Sequence, residues 1–258
     1  MGILNPVFVI IGIIIGAGFA SGKEIYTFFF AYGTKGIIGL AISISLIGYI
    51  IYKSLEIIKK YDINNYGELL KRLITKEDQS INLKFILNFT INTFLLISFF
   101  VMCAGFSAYF KQEFGINEIL ASILFGTFCY IILTKNIKGI FLVNSLIIPL
   151  ITIFLIILGV KSIQNMYLFD GKSVANIMWI PSSILYASYN SITLVSMLIP
   201  MKKYVNNRKD IITISLLCML IIATFAFIII LLLLNINVDI SRIDLPAVYA
   251  SRPFWKNI

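Results

Sequence analysis

Long apolar stretches alternate with short polar ones along this chain. Residues 3–22, 36–52, 85–110, 119–134, 139–160, 173–201 and 211–238 contain no charged side chain. A helix needs roughly 20 apolar residues to cross the hydrocarbon core. Most of these stretches are long enough, and 119–134 becomes so when its flanking side chains snorkel towards the interface. The pattern predicts an all-α polytopic membrane protein with about seven transmembrane helices. Between the spans, only 53–84 is long enough to hold structure of its own. Its Ile57, Ile58, Tyr61, Tyr66, Leu69 and Leu70 predict a helical extension of the second span, then a short amphipathic helix at the membrane surface.

Two spans break the pattern. Residues 6–34 built as one straight helix would measure about 43 Å, against a hydrocarbon core of about 30 Å. The sixth stretch is also overlong, and Ser182, Ser183, Ser188, Asn190, Ser191, Thr193 and Ser196 lie within it between Pro181 and Pro200. Gly18 and Ser188 are 170 residues apart, with four ordinary spans between. Paired interruptions at matching points of two halves predict an inverted-repeat transporter with its site at the breaks. On this reading, residues 1–161 and 173–258 are the two matching parts of a single integral membrane domain.

Composition sharpens this picture. The chain is 13% charged, about half the share of a soluble domain, with a mean hydropathy of +0.96. The first stretch is expected to be a span rather than a cleavable signal, because no basic segment precedes it and six further apolar runs follow. The net charge of +9 does not imply nucleic acid, since the basic residues sit in short loops. With the N-terminus inside, the cytoplasmic loops carry seven Lys/Arg in 53–84, two at Lys135 and Lys138, and four in 202–209. The opposite side carries seven of the 21, and Lys23 is unassigned. The bias predicts a cytoplasmic N-terminus, an outer C-terminus and a place in the cell membrane.

Candidate chemistry is sparse. There is no histidine, and Cys103, Cys129 and Cys218 all fall inside spans without CxxC spacing. That argues against a zinc site of the usual type and against a histidine-based triad, and the cysteines read as packing residues. No nucleophile with a placed base points to an enzyme, and no cofactor is expected beyond Na+ or H+ as a coupling ion.

The glycines of Gly16-Ala-Gly18-Phe-Ala-Ser-Gly22 admit two readings. Gly12/Gly16 and Gly18/Gly22 are GxxxG pairs that let helices approach closely. They also permit unwinding, which frees backbone groups that lipid tolerates only beside a protected cavity or ligand. The half-helix that follows would direct its positive end at a carboxylate. A dinucleotide fingerprint is excluded by its spacing and by the lack of a βαβ context. Lys23 and Glu24 either mark the outer interface or face the cavity, with Glu24 as a proton or cation site and Lys23 as its fixed counter-charge. On the sixth span, isolated hydroxyls often bond back to their own helix. Asn190 needs more partners than that, and Tyr186 and Tyr189 bring rings and hydroxyls to the same place. Asn88, Thr90, Asn92 and Thr93 on the third span read first as packing.

The stretch "IGIIIGAGFASGKEIYTFF" resembles the first helix of the amino acid–polyamine–organocation (APC) transporter superfamily, nearest to the bacterial YkvI-like membrane proteins. "VMCAGFSAYFKQEFGI" (101–116) and "LYASYN" (185–190) resemble that branch's third and sixth helices. The resemblance implies a LeuT-like fold of five-plus-five inverted repeats, with helices 1 and 6 broken. It implies a small organic solute, such as an amino acid, held by Gly16, Ala17, Gly18 and Ser21 with Tyr186, Ser188 and Asn190. "DLPAVYAS" (244–251) is similar to the approach to helix 8, and helices 8 to 10 are expected to be missing. That raises an alternative to a working transporter: a truncated, non-transporting membrane subunit or remnant. A separate chain or a homo-oligomer would then supply the missing helices. The lipid bilayer and the solute are the other expected partners.

Overall fold

A computed structural model describes residues 2–74, 81–162, 177–236, 239–243 and 245–255 of the chain. They form helices α1 (Leu4–Ile14), α2 (Ala17–Ala20), α3 (Lys23–Phe28), α4 (Thr34–Lys60), α5 (Tyr66–Ile74) and α6 (Ile81–Phe114). After these come α7 (Glu118–Leu133), α8 (Asn136–Ser162), α9 (Trp179–Leu198), α10 (Arg208–Leu233) and α11 (Pro246–Trp255). The chain is an all-α polytopic membrane protein, as its apolar runs predict. Thr34–Lys60, Asn88–Phe114, Lys138–Ser162 and Arg208–Leu233 are long and apolar enough to cross a membrane, while Leu4–Ile14 and Glu118–Leu133 are shorter apolar helices.

The centre of the bundle is α10, whose Ile214, Cys218, Ile222, Phe225 and Ile229 are buried. Against it pack α1, α4 and α8, with α9 lying across α1 and α4. Lipid is as apolar as leucine, so close packing rather than hydrophobic expulsion must select these contacts. Small residues make that possible. A side chain at Gly48 would collide with Met219 of α10, one at Gly39 with Ser183 of α9, and one at Gly12 with Asn144 of α8. Gly12 thus sits at a close helix crossing, while Gly16, its partner in the GxxxG pair, faces Met102 of α6 instead. Outside this core, α6 and α7 form a hairpin closed by Phe106 stacked on Phe125 at 4.7 Å and by Ser107 bonded to Ser122 at 2.6 Å.

The loop after α4 follows its expected course. The second span continues as helix to Lys60, and α5 begins where Asn65 Oδ1 accepts the Glu68 N–H while Asn65 Nδ2 donates to the Glu68 carboxylate. At the start of α10, Asn207 and Asp210 bond each other's backbone N–H in a full capping box.

Helix 1 is interrupted as expected. Its first part, α1, has eleven residues and covers only about 16 Å. It ends in an inverse γ-turn: Ile15 takes φ −82° and ψ 75°, and the Gly16 N–H donates to the Ile14 carbonyl at 3.0 Å. A second discontinuity follows at Gly22, which lies at φ 79° in the region that favours glycine. The half-helix expected after the break is thus two short turns, α2 and α3, whose macrodipole is correspondingly weak.

Helix 6 corrects the expectation. Residues 186–191 lie inside α9, which runs unbroken from Trp179 to Leu198. The reason is that its polar side chains serve their own helix. Ser183, Ser188 and Ser191 donate to the carbonyls of Trp179, Ile184 and Ala187, and Asn190 donates to that of Tyr186. The excess length is taken up by a 3-10 turn, Ile199–Tyr204, at Pro200. Residues 173–176, which the expected span includes, lie outside the described part of the chain.

Candidate functional site

Although α9 is continuous, it meets the broken helix. Tyr186, Tyr189 and Ser182 share one face of α9, at the spacing that stacks residues along a helix. Ser182 Oγ donates to the Phe28 carbonyl at 2.9 Å, fixing α9 to the end of α3. On α9's other flank, Ser43 of α4 donates to the Ser183 carbonyl at 2.7 Å. Between these ties the Tyr186 ring is fully buried, edge-on to Phe29 at 4.9 Å, Phe28 at 5.4 Å and Tyr189 at 5.4 Å. Edge-to-face rings at such spacings are favourable, and four of them make a rigid aromatic wall.

Glu24 projects into this wall from the first turn of α3. Its Oε2 accepts the Tyr189 hydroxyl at 2.6 Å, a short charge-assisted bond. Among the described residues no Lys or Arg forms an ion pair with it. Lys23 does something else: its Nζ donates to the carbonyls of Ser241 at 3.0 Å and Ile243 at 2.8 Å. It thereby clamps the 3-10 turn Ile240–Arg242 to the break. Ser21 is buried, its Oγ accepts the Lys23 N–H, and its carbonyl accepts the Ala247 N–H at 2.7 Å. A side chain at Gly22 would meet Ala247 and Ile229, so α11 and α10 close directly over the second discontinuity.

The other residues expected at the site fall as follows. Gly16 lies in the turn between α1 and α2, opposite Met102 of α6. Ala17 and Gly18 open α2, and their side-chain surroundings lie outside the described part of the structure. Asn190 is buried beside Tyr186. Ser188 is exposed on α9, two residues away from both Tyr186 and Asn190, and so off their face. Asn88, Thr90, Asn92 and Thr93 are exposed along α6. Phe28 and Phe29 belong to the site without having been singled out from the sequence, and Ser182 was named there only as one of the span's polar residues. The signal for them is the i, i+4, i+7 spacing of Ser182, Tyr186 and Tyr189 and the aromatic pair after Glu24.

Two buried side-chain polar atoms, the Tyr186 hydroxyl and Asn235 Oδ1, lack a hydrogen-bond partner among the described residues, and only the first is at this site. A buried hydroxyl left unpaired costs about 1–3 kcal/mol. Tyr186→Phe is therefore expected to leave the thermal midpoint unchanged or raise it, by about 1 kcal/mol of stability at most. Tyr186→Ala removes the ring and is expected to cost about 3–5 kcal/mol. A midpoint for Tyr186→Phe as low as that of the alanine variant would make the hydroxyl structural.

The chain is 27% identical over 215 residues, 79% of its length, to "Uncharacterized membrane protein YkvI" of Bacillus subtilis (strain 168). It spans 58% of that protein's length. No family model and no solved structure matches the chain. The sequence is thus similar to a bacterial membrane protein over most of its described helices.

Proposed function

We propose that this chain is transporter-like: an APC-type protein of LeuT-like ancestry that moves a small organic solute, such as an amino acid, by alternating access coupled to a proton. The observation that carries this reading is Glu24, a carboxylate inside an apolar bundle whose described partner is a tyrosine hydroxyl. Ionisable groups packed among membrane helices are costly and mark substrate, ion or proton pathways. Glu24 can take up and release a proton at this bond, and that is the coupling proposed. The discontinuity of helix 1 at Gly22 lies two residues before Glu24, and the Tyr186 hydroxyl and Asn190 amide supply polar atoms for the solute. Lys23 acts in this reading as a clamp on the 240–242 turn rather than as a counter-charge.

The test is uptake by the reconstituted chain across a panel of radiolabelled amino acids, with an imposed pH gradient. Uptake above that of protein-free liposomes for at least one solute supports the reading. Uptake equal to theirs across the panel supports the second reading, a non-transporting membrane subunit. That alternative draws on α6, where Phe85, Phe89, Leu96 and Phe100 are all more than half exposed and offer a face for another helix.

A further inference from the structure

Parts of three lysine-bearing loops meet at one end of the bundle. Lys202 of the 3-10 turn after α9 donates to Asp62 Oδ1 at 2.9 Å and to Asn64 in the loop after α4. That contact holds the Asp62 carboxyl below its ordinary range. Beside it opens a cavity of about 810 Å³ whose wall also includes Lys135, Lys138 and Lys203. Lys135 ends the turn after α7, and Lys138 lies in the first turn of α8. This is the end that the lysine bias assigns to the cytoplasm.

The charges at this cavity are unbalanced. Lys202 is matched by Asp62, and Lys203 Nζ lies over the rings of Phe141 at 5.2 Å and Tyr204 at 4.9 Å. No carboxylate is paired with Lys135, Lys138 or Lys203 among the described residues. Three ammonium groups around one concave, partly aromatic site favour an anion with several oxygens. The helices that meet there carry exposed leucines within their nearest turns, Leu133 on α7 and Leu142 and Leu146 on α8. Such side chains suit acyl chains and give a soluble anion nothing.

We propose that this cavity seats the phosphate headgroup of an anionic phospholipid, with its acyl chains lying along α7 and α8. Basic pockets between membrane helices recognise lipid headgroups in this way. The proposal is independent of the transport reading. It gives the segments at Asn64, 135–138 and 202–204 a common ligand that would brace them against one another.

The test is native mass spectrometry of the full chain in mixed micelles of phosphatidylcholine with phosphatidylglycerol. The wild type is expected to retain one phosphatidylglycerol in preference to phosphatidylcholine. Each lysine near a membrane surface contributes about fivefold to such binding, so Lys135→Gln with Lys138→Gln should weaken it about 25-fold. Lys135→Arg with Lys138→Arg should restore it, which separates charge from misfolding. Equal retention by the wild type and the glutamine pair overturns the proposal. So does loss of binding in the arginine pair as severe as in the glutamine pair. An excess of inorganic phosphate that displaces the lipid completely would also overturn it, by making the cavity a site for soluble anions.

Discussion

Glu24→Gln is expected to abolish pH-driven accumulation while leaving downhill movement of the same solute. A proton carried with each solute converts one unit of pH gradient, about 1.4 kcal/mol, into about tenfold accumulation. Glutamine keeps the shape of the side chain and can still accept the Tyr189 hydroxyl, now bonded to Glu24 at 2.6 Å. It cannot take up or release a proton. The accumulation ratio should therefore fall from about tenfold to about one per unit of gradient, with the thermal midpoint close to that of the wild type. Glu24→Asp keeps the titratable group on a shorter arm and should retain part of the response. A glutamine variant that accumulates solute as the wild type does, with the same dependence on pH, would remove Glu24 from the coupling.

The second large effect is expected at Gly36, a residue with no side chain of its own. Gly36 is in the first turn of α4, pressed against the backbone carbonyl of Phe29. An added methyl group there would overlap that carbonyl, and a backbone atom cannot swing away as a side chain can. Gly36→Ala should therefore push α4 off the end of α3, loosening the wall that Phe28 and Phe29 build around Tyr186. A cost of about 3 kcal/mol is expected, at the upper end of what overpacking does. For a chain of this size that lowers the midpoint by about 6–12 °C. Gly126 of α7 is the control, because an added methyl group there meets nothing within 4 Å. Gly126→Ala should be neutral or stabilising by up to about 1 kcal/mol. Equal midpoints for the two variants would contradict the packing described at Gly36.

The legible part of this fold was its helical class and the interruption of helix 1. Both follow from one-dimensional quantities: the length of apolar runs against bilayer thickness, and glycine where the chain must turn. The supposed break at 186–191 was misleading for a physical reason. A row of serines with an asparagine has the same composition whether its hydroxyls bond their own helix or line an opening. Only the fold shows that Ser183, Ser188 and Ser191 bond back four residues. The Lys23–Glu24 pair was similarly undetermined. Adjacent residues point about 100° apart on a helix, so each finds its partner elsewhere. Lys23 reaches carbonyls 218 and 220 residues away, and Glu24 reaches a tyrosine 165 residues away. Sequence spacing cannot encode such pairs. Tyr186 and Asn190 are buried together on α9, whereas Ser188 shares their neighbourhood but not their face.

The central claim is that the solute and a proton pass together through the site at Glu24. It is tested most directly by following the internal pH of proteoliposomes, with an entrapped dye, as solute is added outside without any imposed gradient. The account predicts that a transported solute acidifies the lumen of wild-type vesicles and leaves it unchanged in Glu24→Gln vesicles. Solute entry with no pH change in the wild type, or with an equal change in the variant, would contradict it.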